Sequence, residues 1–167
     1  MRNIVHASLV QIHYHNRTGG VTRVMESYAD EFGKIYGPKS VNMIICHSQR
    51  NDKSTAAEIV NIKQCDYHKF RSIDAFCRTR DAIVHQIEKV FGEKISNFPV
   101  FIICHNLNLG KNPALSSAIS LISRKLPFEK YRIFLVVHDM AEDGRVKILQ
   151  NLRLFSNNRI DIKKGKG

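Results

Sequence analysis

Long apolar runs are missing from this 167-residue chain. No stretch approaches the roughly 20 apolar residues that a bilayer-spanning helix needs, so none reads as a membrane span. A signal peptide is not expected: Arg2 precedes an apolar stretch that His6 and Gln11 interrupt, and no small-residue cleavage site follows. The four cysteines, Cys46, Cys65, Cys77 and Cys104, show no Cys-x-x-Cys spacing. Cys46 and Cys104 close apolar runs, where cysteine serves as a small buried hydrophobe, and a reduced, cytoplasmic setting is expected. Three signatures of chemistry are absent too. Without Gly-x-Gly-x-x-Gly, and with a second strand ending in Cys46-His47 rather than an acidic ribose ligand, a nicotinamide cofactor has no support. Gly-x-x-x-x-Gly-Lys-Ser/Thr is missing, which argues against a P-loop NTPase, and no Gly-x-Ser-x-Gly elbow marks a hydrolase. No cofactor is expected.

Acidic residues are few, 15 against 26 lysines and arginines, for a formal charge of +11. Its location matters more than its size. From Arg145 onward seven basic residues face Asp161 alone, so over half of the excess lies in a segment ending Lys163-Lys164-Gly165-Lys166-Gly167. Such an end reads as a solvated tail. Stacking platforms for nucleic acid need aromatics between the cations, and Phe155 is the only aromatic in that segment. Nucleic acid is not expected as a partner.

What the chain does have is a glycine pair at a turn. His13-Tyr14-His15-Asn16-Arg17-Thr18-Gly19-Gly20-Val21 joins the apolar run Leu9-Val10-Gln11-Ile12, suited to a buried parallel strand, to an amphipathic helix. Val21, Val24, Met25, Tyr28, Ala29 and Phe32 make one apolar stripe at the 3.6-residue period, and Gly33 then Gly37-Pro38 are expected to close the helix. A turn of this kind exposes N–H groups at a helix N-terminus, where orphan donors and the helix dipole favour a phosphate or another anion. The competing reading is that the pair only permits a tight turn and close strand–helix packing.

Strand and helix patterns alternate along the rest. Strands are predicted at Val41–Cys46, Ile59–Ile62, Val100–Cys104 and Ile133–Val137. A helix from about Ile73 to Phe91 has Ile73, Phe76, Ile83, Val84, Ile87 and Val90 on its apolar face and Gly92 as its stop, and another starts at Asn112-Pro113, asparagine capping and proline first. Leu115, Ala118, Ile119 and Ile122 form that helix's buried stripe, and a final helix is expected through Val146, Leu149, Leu152 and Phe155. The fold class is therefore α/β: a Rossmann-like parallel sheet of about five strands in the order 3-2-1-4-5, flanked by helices. Residues 1–155 are expected to form the domain and 156–167 a basic tail without fixed structure.

Ligands of an open parallel sheet bind outside the carboxyl ends of its strands. Four of the five predicted strands end in histidine: His13 and His15, His47, His105-Asn106 and His138-Asp139, accounting for five of the chain's eight histidines. Histidine can donate to phosphate or sugar oxygens, act as a general acid or base, or bind metal. His13-x-His15 sends two rings to one side of a strand, but neither Cys-x-x-Cys nor His-Glu-x-x-His accompanies it, and no metal is expected.

Three segments in order, His13 to Val24, His105 to Leu115 and His138 to Arg145, resemble the N-terminal domain of family 4 retaining glycosyltransferases of the GT-B architecture. The similarity runs over roughly residues 8 to 155. The resemblance implies half of a two-domain enzyme that moves a sugar from a nucleotide diphosphate donor, this half mainly holding the acceptor. It implies that Gly19, Gly20 and Val21 approach the donor diphosphate and that His138, followed by Asp139, points at the transferred sugar. His105 and Lys111 match positions lining the cleft. The implied partners are a nucleotide-sugar donor and an unidentified acceptor, with peripheral membrane association left open. A full enzyme of this family is more than twice as long. The expectation is therefore a truncated product, an excised domain or one half of a split enzyme, without turnover by this chain alone and with exposed apolar surface where further elements would pack. A stand-alone Rossmann-like module binding phosphorylated or sugar ligands without catalysis is the alternative.

Overall fold

The computed structural model describes residues 6–48, 56–95 and 99–138. The predicted final helix, the basic tail and Asp139 lie outside the described residues. Five strands, β1 (Ser8–His15), β2 (Val41–His47), β3 (Glu58–Asn61), β4 (Val100–His105) and β5 (Tyr131–Val136), form one sheet in the order β3-β2-β1-β4-β5. Every pairing is parallel. The Rossmann-like α/β architecture and strand order are those expected from the apolar pattern.

Three helices, α1 (Gly20–Tyr36), α2 (Ile73–Lys94) and α3 (Pro113–Ser123), make the crossovers. Strand periodicity divides their burial. Val10, Ile12 and Tyr14 of β1, Met43 and Ile45 of β2 and Ile102 of β4 pack with Ile83 and Ile87 of α2 and Leu115 and Ile122 of α3. Among the described residues the other face meets α1, with Ile44 and Cys46 under Met25 and Ala29, and Leu9 under Phe32. Right-handed crossovers to opposite sides of β1 require this split.

Helix ends depart from expectation in an informative way. Gly33 and Gly92 lie inside α1 and α2, which continue to Tyr36 and Lys94. A single glycine costs a helix about 1 kcal/mol, less than the continued packing of its apolar face returns. Gly37 is where α1 stops, at φ 74°, with its N–H donating to the Gly33 carbonyl, a left-handed position that suits glycine. In the α1 stripe Tyr28 is exposed and Thr22 is buried instead, its hydroxyl donating to the Arg17 carbonyl at 2.6 Å.

Three of the four free thiols, Cys46, Cys65 and Cys104, are buried. Burial pushes Cys46 and Cys104 up to about 12. An alkylating reagent applied to the native chain is expected to modify Cys77 alone, read by mass spectrometry of peptides. Modification of Cys46 or Cys104 at a comparable rate would contradict their burial. Apolar exposure concentrates at β5, where Leu135 is 69% exposed and Phe134 48% exposed. Among the described residues no helix is long and apolar enough to cross a membrane.

Candidate functional site

The turn after β1 begins with an irregularity. From Ile12 to His15, β1 advances three residues while β2 advances two, from Ile45 to His47. Such bulges re-aim side chains at the end of a strand. His13 stays inside, its Nδ1–H donating to the His105 carbonyl at 2.9 Å. His15 emerges and packs edge-on against Tyr67, ring centroids 4.8 Å apart.

Among the described residues, none requires either glycine of the following pair. Gly19 is extended at φ 171°, a conformation open to any residue. An added Cβ at Gly19 would approach nothing closer than the Arg17 carbonyl at 3.9 Å, and one at Gly20 would meet nothing within 4 Å. The packing explanation of the pair is therefore not supported. What the pair does is leave the start of α1 bare: no side chain caps it and its first turn has no acidic residue. The first-turn N–H groups keep their donor capacity for something outside the helix.

These residues wall a small cleft of about 120 Å³ that Gly19, Gly20 and Val21 share with Tyr67 and Lys111. Among the described residues no carboxylate lines it. At about 30 Å³ per water molecule the space holds roughly four waters, the scale of a phosphate and not of a whole sugar nucleotide. Lys111 Nζ donates to the Tyr67 hydroxyl at 2.7 Å and lies 4.4 Å from its ring centroid, while the Arg17 guanidinium stands 5.6 Å from the same ring. The cleft thus combines cations, an aromatic ring and bare N–H groups. A larger hollow of about 960 Å³ lies at the opposite edge, against the amino ends of β2 and β3 and the last turns of α1 and α2. It is shallow and far from the strand ends where the histidines gather.

Below the cleft, Asp66 ties two elements together. Arg17 Nη2 reaches its Oδ2 at 2.6 Å and His47 Nδ1 donates to the same oxygen at 3.0 Å. Burial alone would raise Asp66, but the His47 hydrogen bond, the Tyr67 N–H and the Arg17 charge outweigh it and hold the carboxyl below its usual range. His47 is thereby occupied as a structural partner at the end of β2.

His105 and His138 do come together, His105 Nδ1 lying 3.0 Å from His138 Nε2. Their environments differ sharply. His105, expected on the cleft wall, sits beneath it with no exposed surface, whereas His138 is exposed. Burial first, then the neighbouring His138 and His13, pushes His105 down to about 3. Burial likewise pushes His13 down to about 4 against the opposing effect of its bond to the His105 carbonyl. Both rings are neutral at physiological pH. Among the described residues no group of three or more histidine, cysteine or acidic side chains is arranged to hold a metal.

Asn106 holds the two strand ends in register. It adopts a left-handed conformation, φ 57°, that asparagine tolerates better than most residues. Its Oδ1 accepts the His138 N–H at 2.7 Å, its own N–H donates to Val136 at 2.9 Å, and its carbonyl accepts the Tyr14 hydroxyl at 3.1 Å. Asn106→Gly keeps the backbone and removes only the clamp, so it is expected to cost about 1 kcal/mol, against roughly 2–3 kcal/mol for Asn106→Ala, which adds left-handed strain. Urea unfolding of both variants checks this; equal losses would show that the backbone conformation contributes nothing.

Sequence reasoning missed Gln11, Asp66 and Tyr67 as parts of the site. Gln11 had one available signal, a lone amide inside an otherwise apolar strand. Asp66 and Tyr67 had none, because a loop whose path depends on β3 brings Tyr67 into the cleft and Asp66 beneath it. No family model, no curated protein and no solved structure matches this chain.

Proposed function

We propose that this domain is the acceptor-side half of a glycosyltransferase and takes the diphosphate of a nucleotide-sugar donor at the start of α1. The observation that carries the reading is the bare α1 N-terminus behind two glycines that no described neighbour requires, facing Lys111 across a cleft that no described carboxylate lines. Donors there gain strength as charge builds on a departing diphosphate, which is how a fixed set of N–H groups favours transfer. The resemblance of the three strand-end segments supports the same assignment and gives His138 the position facing the transferred sugar. The nucleoside and most of the sugar would be held by a second domain of the kind the resemblance implies, in keeping with the phosphate-scale cleft.

Calorimetric titration of the chain with inorganic pyrophosphate tests the reading. Binding is expected near the millimolar range, about −4 kcal/mol, because one wall supplies only part of the contacts. Gly20→Val and Lys111→Ala are each expected to weaken it about ten-fold while leaving the fold intact, a loss of about 1.4 kcal/mol. Pyrophosphate binding that ignores both substitutions would overturn the assignment. Sub-micromolar affinity of this chain alone for a complete nucleotide sugar would favour the stand-alone binding module instead.

A further inference from the structure

We propose that Gln11 and His105 are positioning residues that hold His138 in a single tautomer, with Nε2–H directed into the protein and Nδ1 left as its one ring nitrogen available to a ligand. The proposal concerns the same strand-end site, and its bearing on sugar transfer rests on His138 facing the transferred sugar; the tautomer itself does not.

The direction of each hydrogen bond follows from the one before. The Met25 carbonyl in α1 can only accept, so the group of Gln11 that faces it at 2.8 Å is the amide nitrogen. That orients the Gln11 amide, whose oxygen then faces His105 Nε2 at 3.0 Å. An amide oxygen also only accepts, so His105 Nε2 carries a hydrogen. His105 is fully buried, with no carboxylate among its described hydrogen-bond partners, and its ring is neutral. A neutral imidazole has one N–H, already used toward Gln11, so His105 Nδ1 is a lone pair. The atom 3.0 Å from that lone pair is His138 Nε2, which must therefore donate.

Ring geometry agrees. The two imidazole planes are 13° apart and their centroids 5.3 Å apart, while the nitrogens are 3.0 Å apart. The bond runs edge to edge along the line of the rings, the orientation in which a ring N–H meets a ring lone pair. The backbone reinforces it, because the His138 N–H is held by Asn106 Oδ1 at 2.7 Å and fixes the base of the side chain.

Chemically, an inward Nε2–H persists whether His138 is neutral or charged. A proton can then be gained or lost only at Nδ1, and a neutral His138 offers a ligand hydroxyl an acceptor, not a donor. A lone exposed histidine would sample both tautomers. The buried glutamine–histidine pair removes that freedom before any ligand arrives, and this gives a reason for an amide in the middle of an apolar strand.

The test is long-range proton–nitrogen NMR of the full chain with labelled histidine, at neutral pH and without any sugar nucleotide. The wild-type spectrum is expected to show His138 and His105 both protonated at Nε2 and bare at Nδ1. His138 carrying its hydrogen on Nδ1, or His105 doing so, overturns the proposal without recourse to a variant. Gln11→Met, close in size but unable to accept, is expected to introduce a second tautomer at His105 and to shift the His138 signals. His105→Phe is expected to speed exchange of the His138 Nε2 proton with water at least ten-fold. Unchanged tautomers in the first variant or unchanged exchange in the second would equally sink it. The two readings fail separately: a wrong tautomer removes the relay whatever the domain binds, and absent pyrophosphate binding removes the proposed function while leaving the relay in place.

Discussion

Lowering the pH from 7 to 5 is expected to destabilise this domain by about 4 kcal/mol, through His13 and His105 together. Folding holds both rings neutral, with values pushed from an ordinary 6.5 down to about 4 and about 3. The unfolded chain takes up protons at these residues as the pH drops through 6.5, and the folded chain does not until it reaches the lower values. Between those limits the unfolded state binds more protons, so stability rises with pH and is lost as pH falls. Each group contributes about 1.4 kcal/mol per pH unit within the window, which over the interval gives roughly 2 kcal/mol per residue. Below the folded values both states are protonated and the slope vanishes. His15 is also lowered, first by burial and then by Arg17, and adds in the same direction. Asp66 acts only at lower pH: its carboxyl is held below the usual range, so its contribution is present above the unfolded value of 3.8 and lost as pH falls through the folded one. Urea unfolding at successive pH values measures the slope. His105→Gln, which cannot take up a proton, should reduce it by about half. A flat profile between pH 6 and 5 would mean that these rings are not buried neutral, and the hydrogen-bond directions assigned to His105 would fall with it.

Asn112→Ala is expected to cost about 4 kcal/mol, several times the loss from an ordinary helix cap. The sequence already marks Asn112 as the cap of α3, and its Oδ1 does accept the N–H groups of Ala114 at 3.1 Å and Leu115 at 3.3 Å. Its amide nitrogen also shares its two hydrogens among three consecutive carbonyls, Gln64 at 2.7 Å, Cys65 at 3.2 Å and Asp66 at 2.7 Å. The side chain is fully buried, and so is its bond to the Cys65 carbonyl, while those to Gln64 and Asp66 are part-buried, so removing it strands the Cys65 acceptor away from water and unties the other two. A lost cap costs about 1 kcal/mol and each buried carbonyl left unsatisfied roughly 1–3 kcal/mol. Ser72→Ala supplies the contrast. That residue caps α2 through a single exposed bond to the Ala75 N–H at 3.2 Å, and about 1 kcal/mol is expected. If the two variants unfold at the same urea concentration, the carbonyl contacts of Asn112 carry no weight. The larger effect should also reach the cleft, since the segment that Asn112 anchors leads directly into Asp66 and Tyr67.

Much of the architecture was legible because burial writes itself into period. Parallel strands buried on both faces read as apolar runs, and Val100 to Cys104 or Val41 to Cys46 could hardly be anything else. The helix starts were legible from capping chemistry at Asn112-Pro113. The stops at Gly33 and Gly92 were misread, since glycine's penalty is local whereas the packing that overrides it comes from the sheet. For the candidate site, the sequence places the histidines at the strand ends, and the tertiary structure separates their surroundings. His47 serves Asp66, His13 and His105 are buried neutral, His15 and His47 are partly exposed, and His138 is exposed.

By itself the sequence determined the α/β class, the strand order and the edge of the sheet at which the histidines end. Each of these depends on periodicity, crossover handedness or chain direction, which are properties of the order of residues. Tertiary structure alone decided that Gly19 and Gly20 answer to no internal contact, that His105 lies under the cleft and not on its wall, and that Gln11 faces it across two strands. Burial and hydrogen-bond direction are relations between residues far apart in the chain, 94 positions in the case of Gln11 and His105, and no local pattern carries them.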